Sequence, residues 1–428
     1  MSLGAAGRYR VAMVVTRSFE EGVRSGRNRC LNAISEALSA AFELNTFRLH
    51  NLLETRNVLD VLGALSRALW AVVRFRPLAL QCLLYAPGSE ISKLARQIAA
   101  GGYQAVYLDS VRCQALLQAL RTYLPDVRVV VDFDDLMSRR MELLAAGRHG
   151  LSLGFLRAAF PAGLRRLSEG PLSAWLTRYE SRALRLAEAE MAASAQAVVF
   201  VSSAERDLMR ARLPPCSGAA VVAIPPPAAA VSAIGPVKPP YRFVFIGTDA
   251  LVQNRLSIDF LVRLWARLQP ALPLHIYGRQ ERPAQVTHNV HWHGYVEDLS
   301  EVYASGSILL LPAMLSGGVK TKAIEAWAYG RPVLGNPAAF EGLDIPDYPL
   351  RVPESQWQPY LQSPDLFESA WMAAARLGNH YVRTALSAER YASRWTQVMS
   401  APCADSQSGV TAEDPPRGEH FEREGSRH

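Results

Sequence analysis

The sequence lacks paired cysteines: Cys30, Cys82, Cys113, Cys216 and Cys403 are odd in number, widely scattered and without C-x-x-C spacing. That pattern gives no zinc site and is expected of a chain in a reducing, cytoplasmic compartment. It also lacks a membrane-spanning run. The longest apolar stretch, Leu59 to Tyr85, is interrupted by Arg67, Arg74, Arg76 and Pro77, which a spanning helix would carry only at several kcal/mol in total. The run Val11 to Val15 is far shorter than a signal h-region and ends in Thr16 and Arg17, so it reads as a first buried strand. No G-x-G-x-x-G follows it, which sets a dinucleotide dehydrogenase aside. No solenoid-type repeat is present. Acidic residues are outnumbered, 39 to 46, and the resulting charge of +7 favours an anionic partner: nucleotide, phosphorylated lipid, membrane surface or nucleic acid.

What is present is a soluble composition, 49% hydrophobic and 20% charged, over 428 residues, enough for two domains. Apolar runs at Val11 to Val15, Ala105 to Leu108, Val127 to Val131, Ala197 to Val201 and Ala220 to Ile224 look like buried parallel strands. Helical patterns alternate with them at Arg29 to Ala41, Ser89 to Ala100, Val111 to Tyr123 and Trp175 to Ala193. Residues 1–227 therefore read as a doubly wound α/β domain. A Pro-rich connector, 228–240, follows Pro225, Pro226 and Pro227 and includes Pro236, Pro239 and Pro240. The rhythm then restarts, and 241–400 reads as a second α/β domain whose last part, Leu366 to Met399, is helical. The polar stretch 401–428 is expected to be disordered.

The segment Ser307 to Gly335 carries the chemistry. A buried strand ends at Pro312, a loop holds Gly317 and Gly318, and a helix opens with Lys320 and Lys322. Ligands collect beyond the carboxyl ends of strands in such sheets. Paired glycines allow close approach of a phosphate, and a helix N-terminus adds unpaired N–H groups. The lysines would add charge for a diphosphate, and Glu325 could accept bonds from two ribose hydroxyls. Spacing alone equally allows a turn and a surface Lys322–Glu325 pair.

The run Gly317-Gly318-Val319-Lys320-Thr321-Lys322-Ala323-Ile324-Glu325-Ala326, with Gly330-Arg331-Pro332-Val333 and Glu341-Gly342-Leu343, resembles the donor-site signature of family 4 glycosyltransferases. Phe245-Ile246-Gly247 with Asn254, Ile276-Tyr277-Gly278 and His293-Gly294-Tyr295-Val296 resemble further motifs of that family's C-terminal domain. Val130 to Leu136, and Val199 to Ser202 with Glu205, agree more loosely in the first half. The resemblance implies a GT-B fold, two facing Rossmann-like doubly wound domains with a cleft between them. It also implies retaining transfer from a nucleotide-sugar donor to a glycan or lipid-linked glycan, with no required metal or other cofactor. Glu325 would then bind the ribose, Lys320 and Lys322 the diphosphate, and Gly294 and Val296 the base. The chain departs from the pattern at three places. Gly317 stands where many members have a first glutamate, Thr248 and Asn254-Arg255 where many have an Arg and Lys pair, and Pro226-Pro227 where Asn-Gly usually follows Ile-Pro.

Several other residues have both a functional and an ordinary reading. Gly22, Gly26 and Arg27 follow the first strand, where the fold would face them to the diphosphate. Asp132, Asp134 and Asp135 follow a buried strand, and Asp134 and Asp135 suit an acceptor hydroxyl. His288, His291 and His293 lack a third ligand partner for a metal and read as structural. The Arg-rich apolar segment between Arg139 and Arg185 reads either as a helical insertion or as basic amphipathic helices on an anionic membrane. No base-reading motif accompanies the charge, so nucleic acid is not an expected partner. An epimerase sharing the donor pocket, or a silent nucleotide-sugar or membrane-binding subunit, are the alternatives.

Overall fold

The computed structural model describes residues 9–17, 26–146, 171–215, 217–228, 237–282 and 286–401. Gly22, Cys216, Cys403, the centre of the Arg-rich segment, most of the Pro-rich connector and nearly all of 401–428 lie outside the described residues.

The first sheet runs β2-β1-β3-β4-β5-β6, all parallel. Its strands are β1 (Arg10–Val15), β2 (Glu43–Arg48), β3 (Ala105–Asp109), β4 (Arg128–Asp134), β5 (Ala197–Phe200) and β6 (Ala220–Ala223). The central strands are continuous apolar runs because helices cover both faces. Alternation divides them: Ala12, Val14, Val106 and Leu108 enter one core layer, and Val11, Met13, Ala105 and Tyr107 the other. The edge strand β2, sequence ELNTFR, escaped the sequence reading because its one-sided burial leaves polar residues throughout.

Helices α1 (Gly26–Ala41), α2 (Leu52–Thr55), α3 (Val58–Val73), α4 (Leu80–Leu84), α5 (Gly88–Ala100), α6 (Gln114–Tyr123), α7 (Met137–Ala146), α8 (Pro171–Ser194) and α9 (Ser203–Arg212) complete the first domain. The flanks of the Arg-rich segment pack inward in part, although Trp175 is 61% exposed. Leu144, Leu184 and Met191 are core residues, and Arg139, Arg140 and Arg185 are ion-paired to Glu341, Asp135 and Glu142.

The second sheet runs β11-β10-β7-β8-β9, also parallel, with β7 (Arg242–Ile246), β8 (Leu274–Tyr277), β9 (Val290–Gly294), β10 (Ser307–Leu311) and β11 (Val333–Gly335). Around it lie α10 (Val252–Leu268), α11 (Leu299–Val302), α12 (Thr321–Ala328) and α13 (Glu368–Ala385), sharing a core built on Trp265, Trp327, Trp357 and Trp371.

The last helix, α14 (Ala388–Ser400), does not stay with this domain. Tyr391, Trp395 and Met399 enter the core of the first domain, Trp395 packing edge-on to Tyr107 at 5.6 Å, and Arg128 Nε donates to Val398 O at 2.8 Å. The expectation of one unit over 241–400 is corrected by this return. Ala228 N donates to Leu386 O at 3.0 Å, so the outgoing connector and the returning chain cross side by side. Helical periodicity sets the buried face of α14; it does not say which domain that face meets.

Candidate functional site

The carboxyl ends of β1, β3 and β4 face those of β7 and β10 across a cleft of about 430 Å³, lined by residues of both domains. Gly26, Arg27, Asp134, Asp135 and Arg140 lie on one wall, and Asn254, Gly318, Lys320 and Lys322 on the other.

On the second wall, β10 ends and the chain turns through Gly317 (φ +98) and Gly318 (φ +62), left-handed conformations that favour glycine. The helix that follows, α12, begins after Lys320, and no side chain caps its first turn, so its amide donors and positive dipole end face the cleft. Lys320 Nζ donates to Gly317 O at 2.5 Å. Lys322 Nζ donates to Asn254 Oδ1 and sits 4.8 Å over the Phe245 ring. Burial lowers Lys322 to about 8, against the pull of Glu325, and burial also lowers Lys320. Gly247 makes this arrangement fit, since a Cβ there would come within 2.9 Å of the Asn254 amide and 3.0 Å of Lys322 Nζ. Gly278, at φ +115, is pressed against the Gly247 backbone in turn.

Glu325 lies one turn along α12 from Lys322. Its Oε1 accepts from Arg29 Nη1 of α1 at 2.8 Å, an ion pair that spans the cleft and whose arginine is 60% exposed. Burial raises the Glu325 carboxyl, partly offset by Arg29 and Lys322. Gly294 (φ +70) ends β9 with open space where a Cβ would be, and Val296 packs half-buried on the second-domain core.

The first wall is organised around Arg27. Its guanidinium pairs with Asp109 at 2.6 Å, Asp132 at 2.9 Å and Asp134 at 3.1 Å, and Tyr107 Oη donates to Asp132 at 2.6 Å. Burial opposes the charge on Asp109, but Arg27, with Arg17 and Arg112, holds that carboxyl down at about 2. Burial raises Asp132 and Asp135, the latter paired with Arg140. Asp134 has φ +64, where β4 shifts register against β5, and this strained backbone turns its carboxylate into the cleft. Gly26, first residue of α1, has nothing within 4 Å of a Cβ position.

Three sets of contacts escaped sequence reasoning, although Glu341 and Glu205 belong to its motifs. Glu341 accepts from Gly317 N at 3.1 Å and from Ser316 Oγ, and pairs with Arg139 of the first domain, clasping the glycine loop across the interface. The Glu205 carboxyl, from α9, stands 3.6 Å from where a Cβ of Gly317 would be. Its Oε1 accepts from Leu136 N at 3.3 Å, its Oε2 is buried without a partner, and burial with Asp135 raises it to about 8. Third, His275 of β8 joins the histidines of β9. Its Nδ1 is 2.7 Å from His293 Nε2, His291 stacks at 5.2 Å, and burial, then His293, lowers His275 to about 4. Among the described residues no group of at least three His, Cys, Asp or Glu could hold a metal ion.

Residues 240–345 match the family described as Glycosyl transferases group 1. No curated protein matches the chain significantly in sequence. Among solved structures, the lipopolysaccharide outer core galactosyltransferase WaaB aligns with TM-score 0.53 at 11% identity, over 91% of this chain and 98% of that one. Anabaena HepE in complex with UDP and glucose aligns with TM-score 0.51 at 10% identity, over 92% of this chain and 100% of that one. TarM aligns at TM-score 0.47 and 10% identity over 74% of this chain, which spans 60% of TarM. The fold is thus that of GT-B proteins. Residues 240–345, which match the group 1 glycosyl transferases, carry Gly317, Lys320, Lys322 and Glu325.

Proposed function

We propose that the protein moves a sugar from a nucleotide-sugar donor to a glycan or lipid-linked glycan, with retention at the anomeric carbon, in polysaccharide or cell-envelope assembly. One observation carries the reading: two half-buried lysines, held only by neutral oxygens, flank an uncapped helix N-terminus one turn from Glu325. Among the described residues neither lysine forms an ion pair, although Glu325 acts on Lys322 and Glu341 and Glu205 on Lys320 from farther off, and cationic charge so placed favours an anion. The donor's C1–O bond to the diphosphate breaks, the bond from C1 to the acceptor oxygen forms as that hydroxyl's proton passes to the departing diphosphate, and negative charge grows on the leaving group. Lys320, Lys322 and the amides of α12 stabilise that charge as it develops.

Glu325 takes the two ribose hydroxyls, and Gly294 and Val296 offer their backbone to the base. Arg29 stands where the ribose hydroxyls would meet Glu325, and its side chain, 60% exposed, can swing away into solvent. Donor binding therefore exchanges Arg29 for ribose. Asp134 and Asp135 face the acceptor hydroxyl, and Glu205 supplies from the opposite domain the carboxyl that position 317 lacks. UDP in HepE and the galactosyl chemistry of WaaB support this reading at the level of class.

A thermal-shift screen against UDP, GDP, ADP and their sugar conjugates tests it. A rise in Tm for one nucleotide, lost in Glu325→Ala, is expected. No shift with any of them would overturn the donor assignment.

A further inference from the structure

Helices on globular domains ordinarily turn their large apolar residues inward. Helix α3 does the reverse. Its inward stripe is Asp60 and Ala64, both buried, continued by the half-buried Ala68 and Ala71. These lie at i, i+4, i+8 and i+11, one face of a helix, and three of them offer only a methyl group. Asp60 is committed to the start of α5, accepting from Ser89 N at 2.8 Å and from Ser89 Oγ. The large side chains point out: Leu59 is 76% exposed, Leu62 55%, Leu65 61%, Leu69 67%, Trp70 57% and Val73 61%. An apolar face of this extent marks a surface with an occupant.

We propose that α3 docks the protein on an anionic lipid bilayer, lying in the plane of the interface. At 16 residues it is about 24 Å long, and no helix among the described residues is long and apolar enough to cross a membrane. Charge selects the occupant. Between Arg56 and Ser89 the cations are Arg56, Arg67, Arg74 and Arg76, of which Arg76 pairs with Glu190 and Arg67 donates to Ala86 O, while the sole acid of the stretch, Asp60, is buried. Nothing exposed on that stretch repels anionic headgroups, and each basic residue near such a surface adds attraction. A second copy of the chain fits poorly, because an isologous contact would set this arginine-bearing face against itself. The guanidinium of Arg74 lies 4.5 Å over the Trp70 ring, joining a cation and an amphipathic ring of the kind found at headgroup level.

The face is also placed to matter for catalysis. It belongs to the connection leaving the carboxyl end of β2, the neighbour of β1 in a sheet whose β1, β3 and β4 ends line the cleft. Next along that connection, Tyr85 Oη donates to Thr16 O at the end of β1, and Thr16 Oγ1 donates to Asp109, the partner of Arg27. Docking through α3 brings the cleft to the bilayer surface, where a lipid-linked acceptor would present its glycan. That last consequence rests on the proposed function; the docking itself does not.

Flotation of the full chain with vesicles of phosphatidylcholine alone and mixed with phosphatidylglycerol tests the assignment. Binding to the mixed vesicles that weakens with salt is expected. Leu65→Glu with Leu69→Glu should reduce it at least tenfold at an unchanged Tm, since both side chains face solvent, and should keep the thermal shift given by the nucleotide. Arg56→Glu with Arg74→Glu should abolish the preference for anionic lipid. Three results would overturn the proposal: no vesicle binding by the unaltered protein, unchanged binding in the double-leucine variant, or a solution dimer that this variant dissociates. The nucleotide shift is read separately, so failure of docking and failure of the donor assignment are distinguishable.

Discussion

The two walls of the cleft spend their positive charge differently. On the first, Arg27 is consumed by Asp109, Asp132 and Asp134, and Arg140 by Asp135. On the second, Lys320 and Lys322 bond to a carbonyl and an amide, which leave the cationic charge in place. Charge count alone would have made the arginine wall the anion site. The partners show instead that Arg27 and Arg140 are neutralised within their own wall, which is why the proposed diphosphate site lies on the lysine wall.

Exchanging the roles of the walls should therefore fail. The largest effect is expected for Lys322→Met and for Glu325→Ala, each lowering turnover by about a hundredfold or more while the protein stays folded, the size usual for losing one preorganised contact to a transition state. Equal losses of stability and activity in a melting and turnover comparison would return these residues to a surface-pair role. Arg27→Ala should do the opposite. Stranding buried carboxylates costs about 3–5 kcal/mol, so Tm should drop well before donor affinity in the remaining folded protein changes.

A smaller effect sharpens the comparison by pH. The Lys322 ammonium titrates at about 8 when no anion is bound, and a diphosphate favours the protonated form. Nucleotide affinity should thus hold below pH 8 and fall as pH rises through it, as titration calorimetry would show. Lys322→Arg should remove that fall, because a guanidinium stays charged. The smallest expected change belongs to Arg29→Ala, which frees Glu325 from its cross-cleft pair. Nucleotide binding should tighten severalfold, and weakening would mean that Arg29 contacts the donor. Glu205→Gln keeps the shape beside Gly317 and should lower turnover with little change in nucleotide affinity.

The second wall was legible because its parts are local. Gly317 to Glu325 is one loop and one helix, so spacing in the chain is spacing in space. Asp134 and Asp135 were legible as residues at a strand end, but the long-range pairs around them were not: Arg27 reaches Asp132 over 105 positions and Arg29 reaches Glu325 over 296. Gly317 shows the same limit from the other side. As a letter it is a missing carboxylate; in the fold a carboxyl from α9 stands beside it. The Arg-rich segment was the sequence's candidate for a membrane face. Of its described flanks, Leu144 and Leu184 pack inward and Trp175 stays exposed, whereas the apolar stretch 58–75, read only as no membrane span, presents most of its large residues outward.

By itself the sequence determined two wound α/β domains, their buried central strands, and the composition of the glycine and lysine loop after β10, because these follow from periodicities and turn chemistry over a few residues. Only the tertiary structure decided which arginines are neutralised, which domain receives α14, and which face of α3 is left to solvent. Each of those depends on what a side chain meets after distant segments have packed, and a helix period specifies a face without naming its neighbour.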